Sequence, residues 1–299
     1  MSSVRNPGAR RRAGSHPSLA VLAARLRCPN CGASLTPAER ALACARGHRF
    51  DLARQGHVAL LPPRRRNARG DSAQMVAARE TFLGAGHYAP IAAAINAATR
   101  AVVGRVTDSA PSVVDLGAGT GYYLAALMEE LGDWWGIALD ASAPALRRAL
   151  RAHPRIAAIA CDVWHQLPIQ DAAAHVVVNV FAPRNGHEIA RVLSPDGALV
   201  VVTPTPHHLQ QLVPALGLLG IDPDKQARVR ATLSPHFEAV AHRAVDFDMT
   251  LTHGDVQALV SMGPSARHLD PDDVRHALAH LPDDLRVTAS ANVDTFRRA

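Results

Sequence analysis

Two groups of residues in this chain have the types and spacing to do chemistry. The first is Cys28-Pro29-Asn30-Cys31-Gly32, followed by Cys44 and His48, a C-x2-C-x12-C-x3-H pattern. Two close thiolates on a turn, then a second close pair about a dozen residues later, is the spacing of a tetrahedral zinc site. Pro29 and Gly32 suit a knuckle that turns both sulfurs toward one ion, and Gly47 before His48 can do the same for the second pair. All four ligands come from protein, so no position is left open for catalysis and the zinc is expected to be structural. Leu35 to Leu42 is long enough for a short hairpin and too short for a core, so the metal would supply folding energy. A reducible thiol cluster is the plainer alternative. Cys161 lies far away in a strand-like context and reads as a small core residue.

The second group is Val113-Val114-Asp115-Leu116-Gly117-Ala118-Gly119-Thr120-Gly121, running into Tyr122-Tyr123-Leu124. This predicts a buried strand, a tight turn without Cβ bulk and the first turn of a helix. Such a turn brings backbone N–H groups up against a ligand. The glycine spacing is G-x-G-x-G, not the G-x-G-x-x-G of dinucleotide binders, which disfavours a nicotinamide dehydrogenase. A glycine-rich turn in any α/β sheet would share these features. The shorter form, preceded by an acidic residue, resembles motif I of class I S-adenosylmethionine-dependent methyltransferases.

The elements that must position these residues follow an alternating order. Asp71 or Ser72 can cap a helix to about Phe82, and His87-Tyr88-Ala89-Pro90 opens another to about Val103. Strands are expected at 112–116, 135–140, 156–160, 174–181 and 198–203, with helices at 121–131, 142–152 and from Gly186 through Leu193. Helical patterns at 255–262 and 271–280, an edge strand around Asp246-Phe247-Asp248 and a final strand from Leu285 to Phe296 complete the chain. Alternating β and α elements with apolar strands imply an α/β fold whose parallel sheet is covered on both faces. Asp140 then ends the second strand, 19 positions after Gly121, where a carboxylate can accept both ribose hydroxyls of a nucleoside. Asp162 ends the third, where it could accept from an adenine amino group; a helix cap for Asp140 and a surface turn for Asp162 are the simpler roles. Arg184 and Asn185, just after the fourth strand, are placed to contact a substrate base or its phosphate.

The 299 residues include enough hydrophobic side chains, 48%, for a real core, but only 4% aromatics, so Ala, Val and Leu must fill it. The formal charge of +6 is carried almost wholly by arginine, Lys225 being the single lysine. A GC-rich genome explains the bias; the excess also suits a phosphate-rich partner. No apolar run approaches the roughly 18 residues of a membrane span, and the N-terminal arginines lead into no apolar core of a signal peptide. A cytoplasmic protein with reduced cysteines is expected. The domain boundaries read as a disordered basic tail at 1–25, a zinc-binding domain at 26–62, a linker and helices at 63–110, and the main domain at 111–299. Within the linker, Pro62 to Gly70 is rigid and then basic, a solvated hinge or a grip on a nucleic-acid backbone.

Taken jointly, these pieces carry a more specific resemblance. The Cys/His unit with Phe50-Asp51 and Gly56, then Gly70-Asp71-Ser72-Ala73-x-Met75 and Arg79-x-x-Phe82-Leu83-x-x-Gly86-His87-Tyr88, precede the glycine turn. Ala182-Pro183-Arg184-Asn185, Arg191-Val192-Leu193, Thr203-Pro204-x-x-x-His208-Leu209 and Met262-Gly263-Pro264-Ser265-Ala266-Arg267-His268 follow it. From about residue 26 to about 268 the chain resembles the RlmA/TlrB family of 23S rRNA (guanine-N1)-methyltransferases. The resemblance implies a Rossmann-like class I methyltransferase domain with a small N-terminal zinc ribbon. It implies cofactor contacts from Tyr88, Gly119, Thr120 and His208, which join Gly117, Asp140 and Asp162 of the turn and strand tips as the candidate cofactor site, agrees with zinc on Cys28, Cys31, Cys44 and His48, and implies a homodimer whose halves form a cleft for 23S rRNA. One branch of the family gives resistance to tylosin-type macrolides, and the Met-Gly-Pro-Ser-Ala motif resembles that branch.

Guanine N1 bears a proton and is a poor nucleophile until it leaves, so the base must be splayed out, aligned and deprotonated. His187, Glu188 and His268 are candidate bases, none favoured over a carboxylate elsewhere. Two other functions share parts of this pattern. A small-molecule methyltransferase would keep the glycine turn without needing the zinc unit. A non-enzymatic zinc-ribbon RNA-binding protein would keep the zinc unit and lose the cofactor.

Overall fold

The computed structural model describes residues 17–61, 70–104, 108–222 and 224–299. The expected basic tail through residue 16 and the Arg-rich stretch 62–69 lie outside the described residues. A small antiparallel sheet is formed by β1 (Leu35–Ala38), β2 (Ala41–Cys44) and β3 (Arg49–Asp51). The main sheet has eight strands. Its parallel part is β4 (Val58–Ala59), β5 (Ser112–Leu116), β6 (Trp135–Asp140), β7 (Ile156–Ala160), β8 (Ala174–Val180) and β9 (Leu193–Pro204). A long hairpin of β10 (Phe237–Thr252) and β11 (Asp284–Arg298) adds antiparallel to β9, giving the order β10-β11-β9-β8-β5-β6-β7-β4. The sheet is therefore mixed. The segment expected as a short edge strand at 246–248 is the middle of a 16-residue strand.

Side chains alternate across the strands, and this sorts the helices into two layers. Val113, Ala138, Ala158, Val176 and Val200 point to one face. There they pack against α2 (Ala73–Gly84), α3 (Ala89–Val102), α4 (Tyr122–Glu130), α5 (Ala143–Ala152), α7 (Leu212–Leu216), α9 (His253–Met262) and α10 (Pro271–Leu278). Val114, Leu116, Ile137, Ile159 and Val177 point to the other face, against α1 (Pro17–Leu22), α6 (Gly186–Val192), α8 (Lys225–Leu233) and the zinc unit. The helices begin where hydroxyl or amide caps stand: Ser72, Ser142 and Asn185 each accept from the third N–H of their helix.

Three boundaries differ from the sequence reading. Residues 17–25 are a helix and a 3-10 turn, not tail: Leu19, Leu22 and Ala23 are buried under the sheet, and Ser18 Oγ donates to Ile156 O at 2.8 Å. The cysteine-bearing unit also has no core of its own. Leu35, Leu42 and Val58 share one core with β5, β6 and β7; β4 pairs parallel with β7; and Arg27 N donates to Pro168 O at 2.9 Å. The ribbon covers part of that face beside α1, α6 and α8. Likewise α2 and α3, placed with the linker, belong to the main core through Phe82, Ile91 and Ile95.

The strand order reverses between β5 and β8, so the crevice between their carboxyl ends is the place where open α/β sheets bind ligands.

Candidate functional site

At the metal unit the two knuckles form as the glycines require. Gly32 N donates to Cys28 O at 2.9 Å and Gly47 N to Cys44 O at 2.9 Å, with φ of +76° and +81°. The Cys31 and Cys44 sulfurs are 3.7 Å apart, and His48 Nδ1 is 3.6 Å from Cys28 Sγ and 3.4 Å from Cys44 Sγ. All four ligand atoms lie within 4.8 Å of one another. Zinc bonds of about 2.3 Å to sulfur and 2.0–2.1 Å to nitrogen give tetrahedral edges of about 3.8 and 3.6 Å. The constellation fits zinc. Burial opposes a Cys44 thiolate, but the N–H groups of His48 and Arg46 and the His48 ring outweigh it and bring its pKa down to about 6.

At the crevice, the glycine turn is fixed by its neighbours. Gly117 N and Ala118 N both donate to Leu139 O, at 2.8 and 3.1 Å. A Cβ on Gly117 would stand 2.6 Å from the Ala182 methyl, and one on Gly121 2.8 Å from Ala149 Cα. Asp140 joins the turn to its own strand tip: Gly119 N donates to Oδ2 at 2.8 Å and Ser142 N to Oδ1 at 2.7 Å. Burial raises the Asp140 pKa, against the lowering by these N–H groups. Asp115 on β5 is 2% exposed, and burial, helped by the Asp140 charge, raises its pKa to about 7. A buried carboxylate, Asp115, beside the half-buried Asp140 on the neighbouring strand favours a ligand that brings positive charge and hydroxyl donors. A sulfonium amino acid joined to a nucleoside meets both demands, whereas a pyrophosphate would be repelled.

Tyr88 and His208 meet on the other side, with Tyr88 Oη 3.1 Å from His208 Nε2. Ser290 N donates to His208 Nδ1 at 3.1 Å, and burial, with the Lys225 charge, lowers the imidazole pKa to about 4. The ring is then neutral with its proton on Nε2, assigned from this bonding pattern, and donates to the phenol oxygen. Burial holds the phenol protonated far above its usual range, so its own hydrogen is left to donate elsewhere. Phe181 closes this corner, its ring centroid 6.3 Å from Tyr88 and 5.7 Å from His208. Ala182 meanwhile abuts Gly117, so the pair that looked unremarkable as sequence faces the glycine turn across the crevice.

Other expected residues are committed to local structure. Asp162 accepts from Trp164 N at 3.1 Å and faces His165 Nδ1 at 2.9 Å, the geometry of a turn. Asn185 caps α6 and donates to Trp164 O at 3.1 Å. Glu188 is buried, bonded by Arg191 and by Leu167 N; burial raises its pKa, but those partners hold it below the usual carboxylate range. His187 is exposed against the His236 ring, and His268 is exposed after the 3-10 turn at 264–267. Arg184 donates to Asn179 Oδ1 at 3.0 Å and to Ala182 O at 3.1 Å, and Asn179 donates in turn to Leu116 O and Pro183 O.

Sequence reasoning missed Asn179, Phe181 and Arg79. Arg79 pairs with Asp71 at 2.6 Å, donates to Met262 O at 2.8 Å, and would lie 3.3 Å from a Cβ on Gly119. Its only signal was its place in the Arg79-x-x-Phe82 motif. Between α2, the 141–144 turn, α9 and α10 a cavity of about 650 Å3 opens beside the Asp140 tip, lined by Gly70, Ser142, Val260 and Leu269 among others.

With this geometry in place, the chain can be compared with known proteins. Residues 26–69 match the zinc ribbon described as "RlmA, N-terminal", and residues 113–197 match a methyltransferase domain. A protein of Micromonospora griseorubida assigned as a 23S rRNA (guanine-N1)-methyltransferase is 50% identical over 286 residues, 91% of this chain and 97% of the relative. The 23S rRNA (guanine(748)-N1)-methyltransferase of Streptomyces fradiae is 46% identical over 272 residues, 91% of this chain and 96% of the relative. A Bacillus subtilis protein assigned the guanine-N1 activity is 32% identical over 192 residues, 62% of this chain and 66% of the relative.

Two outcomes are expected. Metal analysis of the purified chain should find a single bound zinc, and Cys31→Ser should lose it together with hydrogen-exchange protection of β1 to β4. Retention of that protection in the zinc-free variant would contradict a folding role for the metal. Affinity for S-adenosylmethionine, read by calorimetry, should fall as pH drops below about 7. Binding a cation needs Asp115 ionised, and its raised pKa means that a proton must first leave, costing at most tenfold per pH unit. Asp115→Asn should bind more weakly at pH 8 and show no such slope; an unchanged slope would place the titrating group elsewhere.

Proposed function

Because the chain belongs to the RlmA/TlrB family of 23S rRNA (guanine-N1)-methyltransferases, we propose that it methylates N1 of a guanine in a 23S rRNA hairpin loop; the S. fradiae relative is named for N1 of guanine 748. The observation that carries this reading is the pairing of a buried acidic crevice at the strand-order reversal with a Cys3His unit on the same core. S-adenosylmethionine supplies an electrophilic methyl on sulfur when bound. Asp140 is positioned to accept its ribose hydroxyls, and Asp115 to attract its cationic amino-acid end. Gly117, Gly119 and Thr120 line the turn without bulk. Tyr88 O–H, held by neutral His208, offers a donor to the same ligand. Asp162 retains lone pairs for an adenine amino group beside its turn bonds.

The bound cofactor would supply the methyl, a C–N bond to guanine forming as the C–S bond breaks, and the N1 proton would leave to solvent or to a base on the RNA side. Glu188 is occupied by Arg191 and Leu167 N, and His187 and His268 are exposed side chains, so we let alignment of the base carry the rate in this reading. The zinc knuckles hold β1 to β4 on the sheet face and leave their outer surface to the folded RNA, aided by the arginine-rich charge. Among the described residues no helix is long and apolar enough to cross a membrane. We place the enzyme in the cytoplasm with its ribosomal substrate, as a homodimer, and assign it protection against tylosin-type macrolides.

Incubation of unmodified 23S rRNA with the protein and labelled S-adenosylmethionine, followed by mass mapping of fragments, should place one methyl on a single hairpin-loop guanine. Label on other bases, or on a macrolide instead of RNA, would overturn the assignment. Expression in a sensitive host should raise its tolerance of tylosin-type macrolides, and unchanged tolerance would remove the resistance role. Sedimentation of the purified chain should give twice the chain mass.

A further inference from the structure

Phe181 is unusual in its backbone, its exposure and its neighbours. Its φ is +51°, in the left-handed region that a bulky side chain adopts at a cost. Its N–H still donates to Val202 O at 3.1 Å, so the residue stays in the ladder while the chain turns sharply after β8. That turn sets the ring at the mouth of the crevice, against Tyr88 and His208, and seats Ala182 on Gly117. The ring remains 37% exposed.

In a chain with 4% aromatics, the exposed large hydrophobics among the described residues include two aromatics, Phe181 and Trp164, the latter 61% exposed. Both stand on the carboxyl-end rim of the parallel sheet, after β8 and after β7. Their loops are tied together by Asn185 Nδ2 donating to Trp164 O. The cations Arg184 and Lys225 lie close enough to this corner for Lys225 to act on His208 and Arg184 on Lys225. An exposed π face with two cations in its neighbourhood suits a flat, electron-rich heterocycle on a phosphate backbone.

We propose that Phe181 is the platform on which the extruded target guanine stacks, with Trp164 receiving a neighbouring base of the same loop. This rests on the functional reading above. The strained backbone fixes the ring beside the reacting atoms before RNA arrives, so the base meets a preformed surface. Phe181 is thus a positioning residue for N1, with no part in proton transfer.

The test uses the full-length protein and the rRNA hairpin carrying 2-aminopurine at the target position. With the native residue, the extruded probe stacks and its fluorescence stays quenched. Phe181→Leu should brighten it several-fold and slow methylation of the natural hairpin by about ten- to a hundredfold, the worth of one base–aromatic stack. Affinity for S-adenosylhomocysteine by calorimetry should stay within about twofold, which also shows that the variant is folded. Phe181→Trp should restore quenching and rate, and Trp164→Ala should weaken RNA binding without brightening the target probe. Unchanged fluorescence and rate in Phe181→Leu would overturn the proposal, as would a loss confined to cofactor affinity, which would make Phe181 a cofactor wall. If the native enzyme leaves the hairpin unmethylated, the substrate assignment fails, while the fluorescence comparison still decides whether Phe181 stacks a base.

Discussion

The carboxylate of Asp140 holds the site together. One oxygen takes the N–H of Gly119 and the other that of Ser142. Through the first it fixes the glycine turn after β5; through the second it orients the start of α5. Ser142 Oγ then donates to Asp71 O, and Gly70 lies so close to the Ser142 backbone that a Cβ would come within 2.5 Å of its nitrogen. The entry to α2 is thereby docked on the same spot, and α2 carries Arg79 over Gly119. A single half-buried carboxylate thus links three elements, and its desolvation is offset by donors already pointed at it.

The second carboxylate makes that arrangement selective. Asp115 is buried beside Asp140, and burial together with the Asp140 charge raises the cost of ionising it. A cationic ligand relieves this tension, and an anionic one adds to it. The glycine spacing and the acid pair therefore say the same thing in different terms: the turn accepts close approach by a ligand that carries no phosphate.

Much of this was legible in the sequence because it is local. Cys28 to His48 and Val113 to Gly121 are short windows whose spacing alone imposes geometry, and the strands at 135–140 and 156–160 declare themselves by apolar runs. What stayed hidden depends on distant partners. Arg79 finds Met262, 183 positions away, and Tyr88 finds His208, 120 away. The helix at 17–22 is too short to announce itself; it forms because Leu19 and Leu22 are buried by strands more than a hundred residues later. The left-handed turn at Phe181 contradicts local preference, and such contradictions gather at functional positions.

The pairing of β4 with β7 has a consequence for how the chain is made. Val58 and Ala59 need Ile159 and Ala160 as partners, so the edge of the sheet cannot close until about a hundred further residues have been synthesised. The knuckles need nothing beyond His48. Metal capture during translation would hold residues 28–48 in a compact, hairpin-rich shape while their apolar underside waits for the strands that will cover it. Ion and sheet would then act in sequence: the ion would hold the segment around Cys28–His48 as it emerges, and the sheet would later incorporate it.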